Sequence, residues 1–355
     1  MNYKYILVTG GAGFVGSTIC IQLKRHYPGI HVIALDNLSR RGSELNLPHL
    51  NKHGVTFVRG DVRHKKDMNI THVDLIIECS AEPSVLAGVT SSPKYVVETN
   101  LVGALNCFEL ARKNEADVIF LSTSRVYPVE QINAVKYKEE KTRFAFLAKQ
   151  ILPGISRDGI SENFPLLGIR SLYGTTKLAA ELVLQEYGQN YGIHTVVDRF
   201  GLISGPGQMG KADQGVIAYW LASHLFEKPL SYIGFGGQGK QVRDAIHVDD
   251  VFAAIHLQIS NMKKYSGNTY NIGGGKNNSI SLLELTKACE DLTGEKTVIT
   301  KNHSNRRGDI RIYITDNKKF EQASGWQQKK NIQQLLTDTY MWMIKNKKEL
   351  APVLS

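Results

Sequence analysis

The sequence predicts an α/β protein with a doubly wound parallel sheet and a smaller C-terminal lobe interleaved with it. Over the first third of the chain, continuous apolar strands alternate with helical segments, which is typical of a parallel sheet covered on both faces. Beyond Gly201 the pattern changes to short elements separated by Gly and Pro clusters. The 355 residues also leave room for roughly two domains of ~150 residues each.

The predicted elements follow this alternation along the chain. Strands are expected at 5–8, 31–35, 55–58, 75–77, 118–121 and 195–197. Helices are expected at 14–27, 96–113 and 171–189, and near 214–226, 249–260, 280–293 and 331–346. The stretch 128–172 contains three prolines and no clear periodicity, which is typical of a functional loop or lid.

Composition excludes several classes of protein. Hydrophobic residues make up 42% and charged residues 21%, so disorder, collagen and coiled coil are ruled out. The four cysteines are scattered, without the spacing of a zinc or CxxC motif, and no metal is expected. The chain has neither a signal core nor an apolar run of ~20 residues, so we expect a cytoplasmic protein without a membrane partner. The net charge of +10 favours an anionic partner without identifying it.

A glycine-rich turn, Thr9–Gly16, lies between the first strand and the first helix. Gly10, Gly13 and Gly16 permit a sharp turn and close approach of the backbone to a pyrophosphate. The helix that opens at Phe14 and Val15 presents free N–H groups to that anion. The context predicts a Rossmann dinucleotide-binding turn.

An acidic residue follows the turn at the distance that such a site requires. Asp36 ends the second strand, 20 residues after Gly16, where a carboxylate binds the adenosine ribose and repels a 2′-phosphate. This favours NAD over NADP, although Arg40 and Arg41 weaken the preference. Asp61 either meets the adenine amino group or is a surface turn residue. We assign Asn37 and Val62, which follow Asp36 and Asp61 in the sequence, to the same cofactor site.

Tyr173 and Lys177 are four residues apart at the start of a predicted helix, so both project from one face. A nearby ammonium stabilises a phenolate, which can take a proton from a sugar hydroxyl while the carbon loses hydride to nicotinamide. Lys177 can also hold the nicotinamide ribose. Most Tyr/Lys pairs at this spacing are surface residues. The dinucleotide turn upstream is what favours a catalytic role for this pair.

A third partner is expected at the carboxyl end of the fifth strand, because ligands of open α/β sheets bind at that edge. Three hydroxyl residues occur there in succession, Ser122, Thr123 and Ser124. They suit hydrogen bonding to a reacting hydroxyl or carbonyl, and the alternative is that they cap a turn.

These residues together resemble the extended short-chain dehydrogenase/reductase family of nucleotide-sugar epimerases and dehydratases. The resemblance covers nearly the whole chain. The segments that carry it are Thr9–Gly16, Ser122–Thr123 with Val126–Tyr127, Tyr173–Lys177, Gly239–Asp244 with His247–Asp250, Asn271–Gly273 and Arg306–Asp309.

The resemblance assigns roles to residues along the chain. It implies that Thr123 helps to shuttle the substrate proton, with Tyr173 as base and Lys177 as its partner. Asn100 matches a position that supports the cofactor and active site. The substrate-binding residues that it implies are Ser124, Gln208, Gln214, Arg243 and Arg306, of which the two arginines grip the nucleotide diphosphate.

Within the family, the chain is most similar to the CDP-paratose 2-epimerase branch. The segments that carry this likeness are Asp36–Gly42, Asp213–Gly215, Gly239–Asp244, Asn271–Gly274, Ser281–Leu285 and Arg306–Asp309. Dehydratases of the family carry Asp-Glu after the catalytic Thr, whereas this chain has Ser124 and Arg125, which argues for epimerisation. Pro128 replaces the usual Gly, and the 128–172 stretch looks longer than in this branch.

The resemblance implies NAD-dependent inversion of a sugar carbon through a keto intermediate, at C2 of a CDP-linked deoxyhexose. The alternatives are a UDP-hexose 4-epimerase, a 4,6-dehydratase and a non-catalytic NAD sensor. A nucleic-acid partner is not expected, since no recognition motif accompanies the positive charge. We expect residues 1–200, with a return at 243–262, to bind NAD and 201–355 to bind the nucleotide sugar. A homo-oligomer, dimer or tetramer, is expected on base rates.

Overall fold

A computed structural model describes residues 3–89, 91–211 and 213–354. Its main feature is a seven-stranded sheet in the order β7-β6-β5-β4-β1-β2-β3. The strands are β1 (Tyr5–Thr9), β2 (His31–Asp36), β3 (Thr56–Arg59), β4 (Leu75–Glu78), β5 (Asp117–Thr123), β6 (Thr195–Phe200) and β7 (Asn268–Ile272).

The pairing of these strands is that of a doubly wound sheet. β1 runs parallel to both β2 and β4, β2 to β3, and β4 to β5. The order therefore reverses between β1 and β4, the kind of switch point at which such sheets bind ligands. Apolar side chains on these strands are buried, as for a sheet covered on both faces. The predicted α/β fold is confirmed.

Helices pack on this sheet and bury its faces. The predicted helix over 96–113 is in fact two α-helical segments, Pro93–Val97 and Gly103–Asn114, joined by a π-helical turn at Glu98–Val102. The π-turn carries Asn100, and such turns occur frequently at functional sites. The other helices around the sheet are Phe14–His26, Leu47–Lys52, Leu172–Tyr191, Val248–Ser260 and Met262–Tyr265.

The chain divides into two compact units that are interleaved in sequence. The first unit runs through Thr123 and takes in Leu172–Arg199 and Phe252–Tyr270. The second consists of Ser124–Ser171, Phe200–Val251 and the residues from Asn271 onward. These bounds differ from the expected domains in two places, because 124–171 falls in the second unit and the returning segment is 252–270 rather than 243–262.

The stretch 128–172 has more regular structure than its sequence suggests. It contains a short helix, Val129–Asn133, and two small hairpins, Tyr137–Glu139 with Phe144–Phe146 and Ile155–Ser156 with Gly159–Ile160. The guanidinium of Arg143 binds the carboxylate of Glu284, and the backbone N–H of Phe144 donates to the backbone carbonyl of Lys240. These contacts explain why residues 128–171 of this stretch belong to the second unit.

The second unit is built on a four-stranded sheet. Its strands are Leu202–Ser204, Val242–His247, Ser279–Ser281 and Ile312–Tyr313, and a separate pair joins Leu230–Ile233 to Ile299–Asn302. Its helices are Val129–Asn133, Val216–Leu225, Leu282–Thr293, Lys318–Ser324, Ile332–Lys345 and Lys347–Leu354. Capping boxes at Ser281 and Asn331 define where two of these helices begin.

Two further properties concern the chain as a whole. Within residues 3–89, 91–211 and 213–354, no helix is both long and apolar enough to cross a membrane. Over the same residues, no group of three or more His, Cys, Asp or Glu side chains is arranged to hold a metal ion.

Candidate active site

The glycine-rich turn leaves no space for side chains where the chain folds back on itself. Gly10 has a φ of +62°, and a Cβ there would lie 3.0 Å from the carbonyl oxygen of Cys79. A Cβ on Gly16 would lie 2.2 Å from the carbonyl oxygen of Gly10. Because any larger residue would push the turn away from the helix, both positions require glycine.

The helix Phe14–His26 starts directly on this turn. Gly13 is its N-cap, and no side chain caps the helix there. Phe14 and Val15 occupy the first turn and are partly buried. The unprotected N–H groups and the glycine cradle fit the pyrophosphate of a dinucleotide.

Asp36 ends β2 beside the same turn. Its carboxylate accepts hydrogen bonds from the N–H groups of Leu38 at 2.8 Å and Ala12 at 3.1 Å. Burial raises the pKa of Asp36, and these N–H groups oppose the shift. Asp36 thus stabilises the glycine turn, and its contact with a ribose hydroxyl stays a prediction.

The second acidic residue of the cofactor region is already partnered. Asp61 forms a bidentate ion pair with Arg63 and accepts from Asn37 Nδ2 at 2.9 Å. The hydrogen bond from Arg63 holds the pKa of Asp61 well below its usual range. Val62 is buried, and its carbonyl accepts from Asn106. Asp61 is buried rather than a surface turn residue, and its contacts order the loop, while its contact with the adenine amino group stays a prediction.

The helix Leu172–Tyr191 carries a buried polar stripe along its sheet-facing side. Tyr173, Lys177 and Glu181 follow one another at intervals of four residues, and all three are buried. Residues at this spacing lie above one another on a helix. The predicted Tyr/Lys pair therefore extends by one turn to a carboxylate.

Lys177 makes two contacts within the first unit. Its Nζ lies 3.2 Å from Oε2 of Glu78, the last residue of β4, and 3.9 Å from the centroid of the Phe120 ring. The side chains of Lys177 and Glu78 are 2% and 1% exposed, so their ion pair is shielded from water.

Glu181 anchors the end of β5. It accepts a hydrogen bond from the Ser122 hydroxyl and forms a bidentate ion pair with Arg199, whose Nε lies 3.1 Å from Oε1 and whose Nη2 lies 2.7 Å from Oε2. Since Ser122 is committed to Glu181, Thr123 is the next hydroxyl along the strand. Thr123 is the last residue of β5 and is almost fully buried.

Asn100 connects the π-turn to the helix that carries Tyr173. Its Oδ1 accepts from the N–H of Glu82 at 2.7 Å, and its Nδ2 donates to the Glu82 carbonyl and to Thr176 Oγ1 at 3.2 Å. Thr176 in turn donates to the carbonyl of Tyr173. Asn100 is fully buried, so its amide holds the loop after β4 against the start of this helix.

The second unit contains a cluster of arginines. Arg243, on the strand Val242–His247, donates to the carbonyls of Val242 at 2.7 Å and Ile310 at 2.6 Å. Burial lowers the pKa of Arg243 to about 9, and the cation of Arg125 acts in the same direction.

The other two arginines of the cluster reach the same segment, 306–310. Arg125 donates to the Gly308 carbonyl at 3.4 Å, and Arg306 forms a partly exposed ion pair with Asp309 at 3.3 Å. Arg125, Arg243 and Arg306 thus meet around one short stretch of backbone. Three guanidinium groups in one place suit a multiply charged phosphate ligand.

Three other predicted substrate residues belong to loops and turns of this unit. Gln208 accepts from Ser204 at 2.8 Å and donates to the Ile203 carbonyl at 3.0 Å, so its amide serves its own loop. The backbone of Gln214 forms a small bridge with Lys211. Ser124 starts the 3-10 turn Ser124–Val126.

The structure adds Glu78, Glu181 and Arg199 to the site residues that the sequence predicts. Glu181 lies one turn beyond Lys177, so extending the helical spacing once more would have found it. Glu78 is the polar end of an otherwise apolar strand, and the strand-end argument made for β5 applies equally to β4. Arg199 lies inside a buried strand, and no local pattern connects it with Glu181.

Comparison with known proteins fits this geometry. A family model described as the NAD dependent epimerase/dehydratase family matches residues 6–273. The chain belongs to this family. It is therefore an NAD-dependent enzyme of the nucleotide-sugar epimerase/dehydratase family, as the sequence resemblance implied.

Two curated relatives match over nearly their whole length. The CDP-paratose 2-epimerase of Salmonella typhi is 32% identical over 95% of this chain and 98% of its own. A putative UDP-glucose 4-epimerase of Methanocaldococcus jannaschii is 31% identical over 96% of this chain and 99% of its own.

A solved structure shares the fold. The UDP-glucose 4-epimerase of Thermus thermophilus, in complex with NAD, is 28% identical, with a TM-score of 0.76 over 96% of this chain and 99% of that chain. The NAD in that complex agrees with the fit of a dinucleotide to the glycine turn of this chain.

Proposed function

We propose that this enzyme inverts C2 of a CDP-linked deoxyhexose, the reaction type of CDP-paratose 2-epimerase. The observation that carries the proposal is the 32% identity with that enzyme over almost both full lengths. The arginine cluster at 306–310 supports a nucleotide-diphosphate substrate, because guanidinium groups bind phosphate oxygens in pairs.

The catalytic roles follow from the first unit. Tyr173 takes the proton from the sugar hydroxyl and returns it, and Lys177 stabilises the phenolate. Thr123 orients that hydroxyl from the end of β5, which Ser122 and Glu181 anchor. The cofactor NAD supplies a hydride acceptor and donor when bound. The glycine turn, Phe14 and Val15 hold its pyrophosphate, and Asp36 its ribose, while Asn37, Asp61, Val62 and Asn100 order the surrounding loops.

The residue after Ser124 separates epimerisation from dehydration. A dehydratase needs an acid and a base beside the reacting sugar to remove water. Here Arg125 follows Ser124, and its guanidinium binds the carbonyl of Gly308. We propose that Arg125 contributes positive charge toward the substrate diphosphate and that the ketosugar is reduced without loss of water.

A UDP-hexose 4-epimerase is the second candidate function. It is supported by the 31% identical relative from Methanocaldococcus jannaschii and the 28% identical structure from Thermus thermophilus. Both reactions use the same proton and hydride transfers, so the two candidates differ in the carbon that faces the nicotinamide and in the nucleotide base.

A substrate panel tests the proposal. The purified enzyme is incubated with CDP-, UDP-, GDP- and dTDP-sugars, and the products are identified by NMR. We expect inversion at C2 of a CDP-linked deoxyhexose. When the substrate carries deuterium at C2, we expect the product to retain that deuterium. Inversion confined to C4 of a UDP-hexose would favour the second candidate. Formation of a 4-keto-6-deoxy product would reject both.

We also propose that the enzyme forms a homo-oligomer, a dimer or tetramer. Closed symmetric assemblies are the commonest arrangement of soluble oligomers. Sedimentation velocity over a range of protein concentrations tests this, and a single monomeric species at all concentrations would contradict it.

A further inference from the structure

Glu78 is a buried carboxylate to which the proposed mechanism gives no role. It ends β4, and its Oε2 lies 3.2 Å from Nζ of Lys177. In the sheet it is in register with Thr9 of β1 and with Phe120 of β5. The carboxylate therefore lies at the ligand-binding edge of the sheet, against the lysine of the Tyr/Lys pair.

The surroundings of Lys177 make this contact consequential. Burial favours the neutral form of an isolated lysine. The ring of Phe120, 3.9 Å from Nζ, attracts an ammonium but carries no net charge. Glu78 supplies a full negative charge, which offsets the cost of burying the ammonium.

We propose that Glu78 is a positioning residue, whose carboxylate pairs with the ammonium of Lys177 and fixes its Nζ one helical turn from Tyr173. The inference rests on the proposed function, in which Tyr173 and Lys177 act together. Without the carboxylate, Nζ of Lys177 loses the partner that holds it in place, and the phenolate of Tyr173 loses a well-placed stabilising cation.

The other titratable groups around Glu78 and Lys177 do not supply the negative charge that Glu78 provides. Burial raises the pKa of the Cys79 and Cys107 thiols, so both stay neutral. Glu181, one turn beyond Lys177, is held by Arg199. Burial raises the pKa of Glu78 itself, while the Lys177 ammonium and the Ser80 N–H oppose this shift.

The first test compares pH profiles of kcat for the full-length, NAD-loaded enzyme and two variants. For Glu78→Gln we expect the acid limb of the kcat profile to move by about one pH unit toward higher pH. At neutral pH kcat should therefore fall about tenfold, and the loss should diminish under alkaline conditions. Glu78→Asp keeps the negative charge, so the acid limb of its kcat profile should stay at the wild-type pH even if kcat falls.

A matched control and two contrary results complete this test. Glu186→Gln removes an exposed carboxylate from the same helix as Lys177 and should leave the profile unchanged. If Glu78→Gln loses the same factor of kcat at every pH, Glu78 has only a structural role. A limb that moves toward lower pH would equally overturn the proposal.

The second test does not depend on turnover. Urea unfolding is measured for Glu78→Gln, Lys177→Met and the double variant. Each single variant strands one buried charge, so the double variant should lose less stability than the two single losses added together. Additive losses would mean that the two groups do not support each other, and the inference would be withdrawn.

The two tests separate this inference from the proposed function. If the wild-type enzyme turns over no nucleotide sugar although the double-mutant cycle is coupled, the proposed function fails while the ion pair stands. If the wild-type enzyme is active and Glu78→Gln keeps its acid limb in place, the proposed function stands and the role of Glu78 is rejected.

Discussion

The two units of the chain treat buried charge in different ways. In the first unit, buried ions are paired one to one, Lys177 with Glu78 and Arg199 with Glu181. In the second unit, three arginines meet around 306–310, where Asp309 pairs with one of them. Each buried cation beside the proposed catalytic residues has its own carboxylate, whereas the proposed substrate-binding arginines gather around one stretch of backbone, and two of them donate to its carbonyls.

This difference fits what each unit has to do. A proton-transfer site needs fixed groups whose charges are already compensated, because preorganised groups need no rearrangement during the reaction. An anion site gains affinity when the balancing charge arrives with the ligand. We therefore expect changes in the first unit to alter rate and stability, and changes in the arginine cluster to alter substrate affinity.

The largest expected effect is on the base. Tyr173→Phe removes the hydroxyl that transfers the proton, and we expect kcat to fall by about 10³-fold, within the range usual for loss of a general acid–base group. NAD affinity, measured by fluorescence quenching, should be retained. Tyr191→Phe, an exposed change on the same helix, is the control. Unchanged turnover of Tyr173→Phe would refute the assigned base.

The second effect is on stability in the first unit. Glu181→Gln leaves the buried guanidinium of Arg199 without its counter-charge, and we expect the free energy of unfolding in urea to drop by about 3–5 kcal/mol. The control is Asp291→Asn, which breaks the exposed pair with Lys287 and should change little. Equal effects of the two variants would mean that the Glu181–Arg199 pair is not the buried support inferred here.

Sequence reasoning predicted features that depend on local spacing. The turn at Gly10–Gly16, the acid at Asp36 and the pair Tyr173 and Lys177 are each encoded within a few residues or one strand–helix unit. The partners of those residues depend on tertiary packing: Glu78 meets Lys177 because the helix Leu172–Tyr191 packs on Phe120 of β5, and β5 pairs with β4. The contacts of Gln208 within its own loop could not be predicted from the sequence, and its contact with the substrate stays a prediction.

The third effect is on substrate affinity in the second unit. Arg243→Gln removes a charge-assisted contact, typically about 1.5–3 kcal/mol, so KM should rise roughly 10- to 100-fold, with a smaller change in kcat. Binding of the nucleoside diphosphate by calorimetry should weaken in parallel. The exposed Arg157→Gln makes the same charge change in the same unit and serves as control. If Arg243→Gln instead loses stability without losing affinity, the contrast between the two units fails.

The last prediction concerns Asp198, a buried acid of the first unit that pairs with no cation among the residues that the structure describes. Asp198 lies within β6, and its Oδ1 accepts a hydrogen bond from Gln258 Nε2 at 2.8 Å. Burial raises the pKa of Asp198 to about 7, and the Gln258 hydrogen bond opposes the shift. Asp198 thus differs from both the paired ions of the first unit and the arginine cluster of the second. Below about pH 7 its side chain is largely the neutral carboxylic acid in the folded state.

The pH dependence follows from where the proton is held. An unfolded aspartic acid has a pKa of about 3.9, so between about pH 4 and 7 the folded state binds a proton that the unfolded state lacks. Its contribution to stability is complete below about pH 4 and is lost as the pH rises to about 7, by at most about 1.4 kcal/mol per pH unit. Asp198→Asn removes this titration, so the variant's free energy of unfolding relative to wild type should rise with pH across this window and then level off. Asp291→Asn should show no such trend, and a flat difference for Asp198→Asn would mean that Asp198 is ionised in the folded enzyme and that its burial is compensated in some other way.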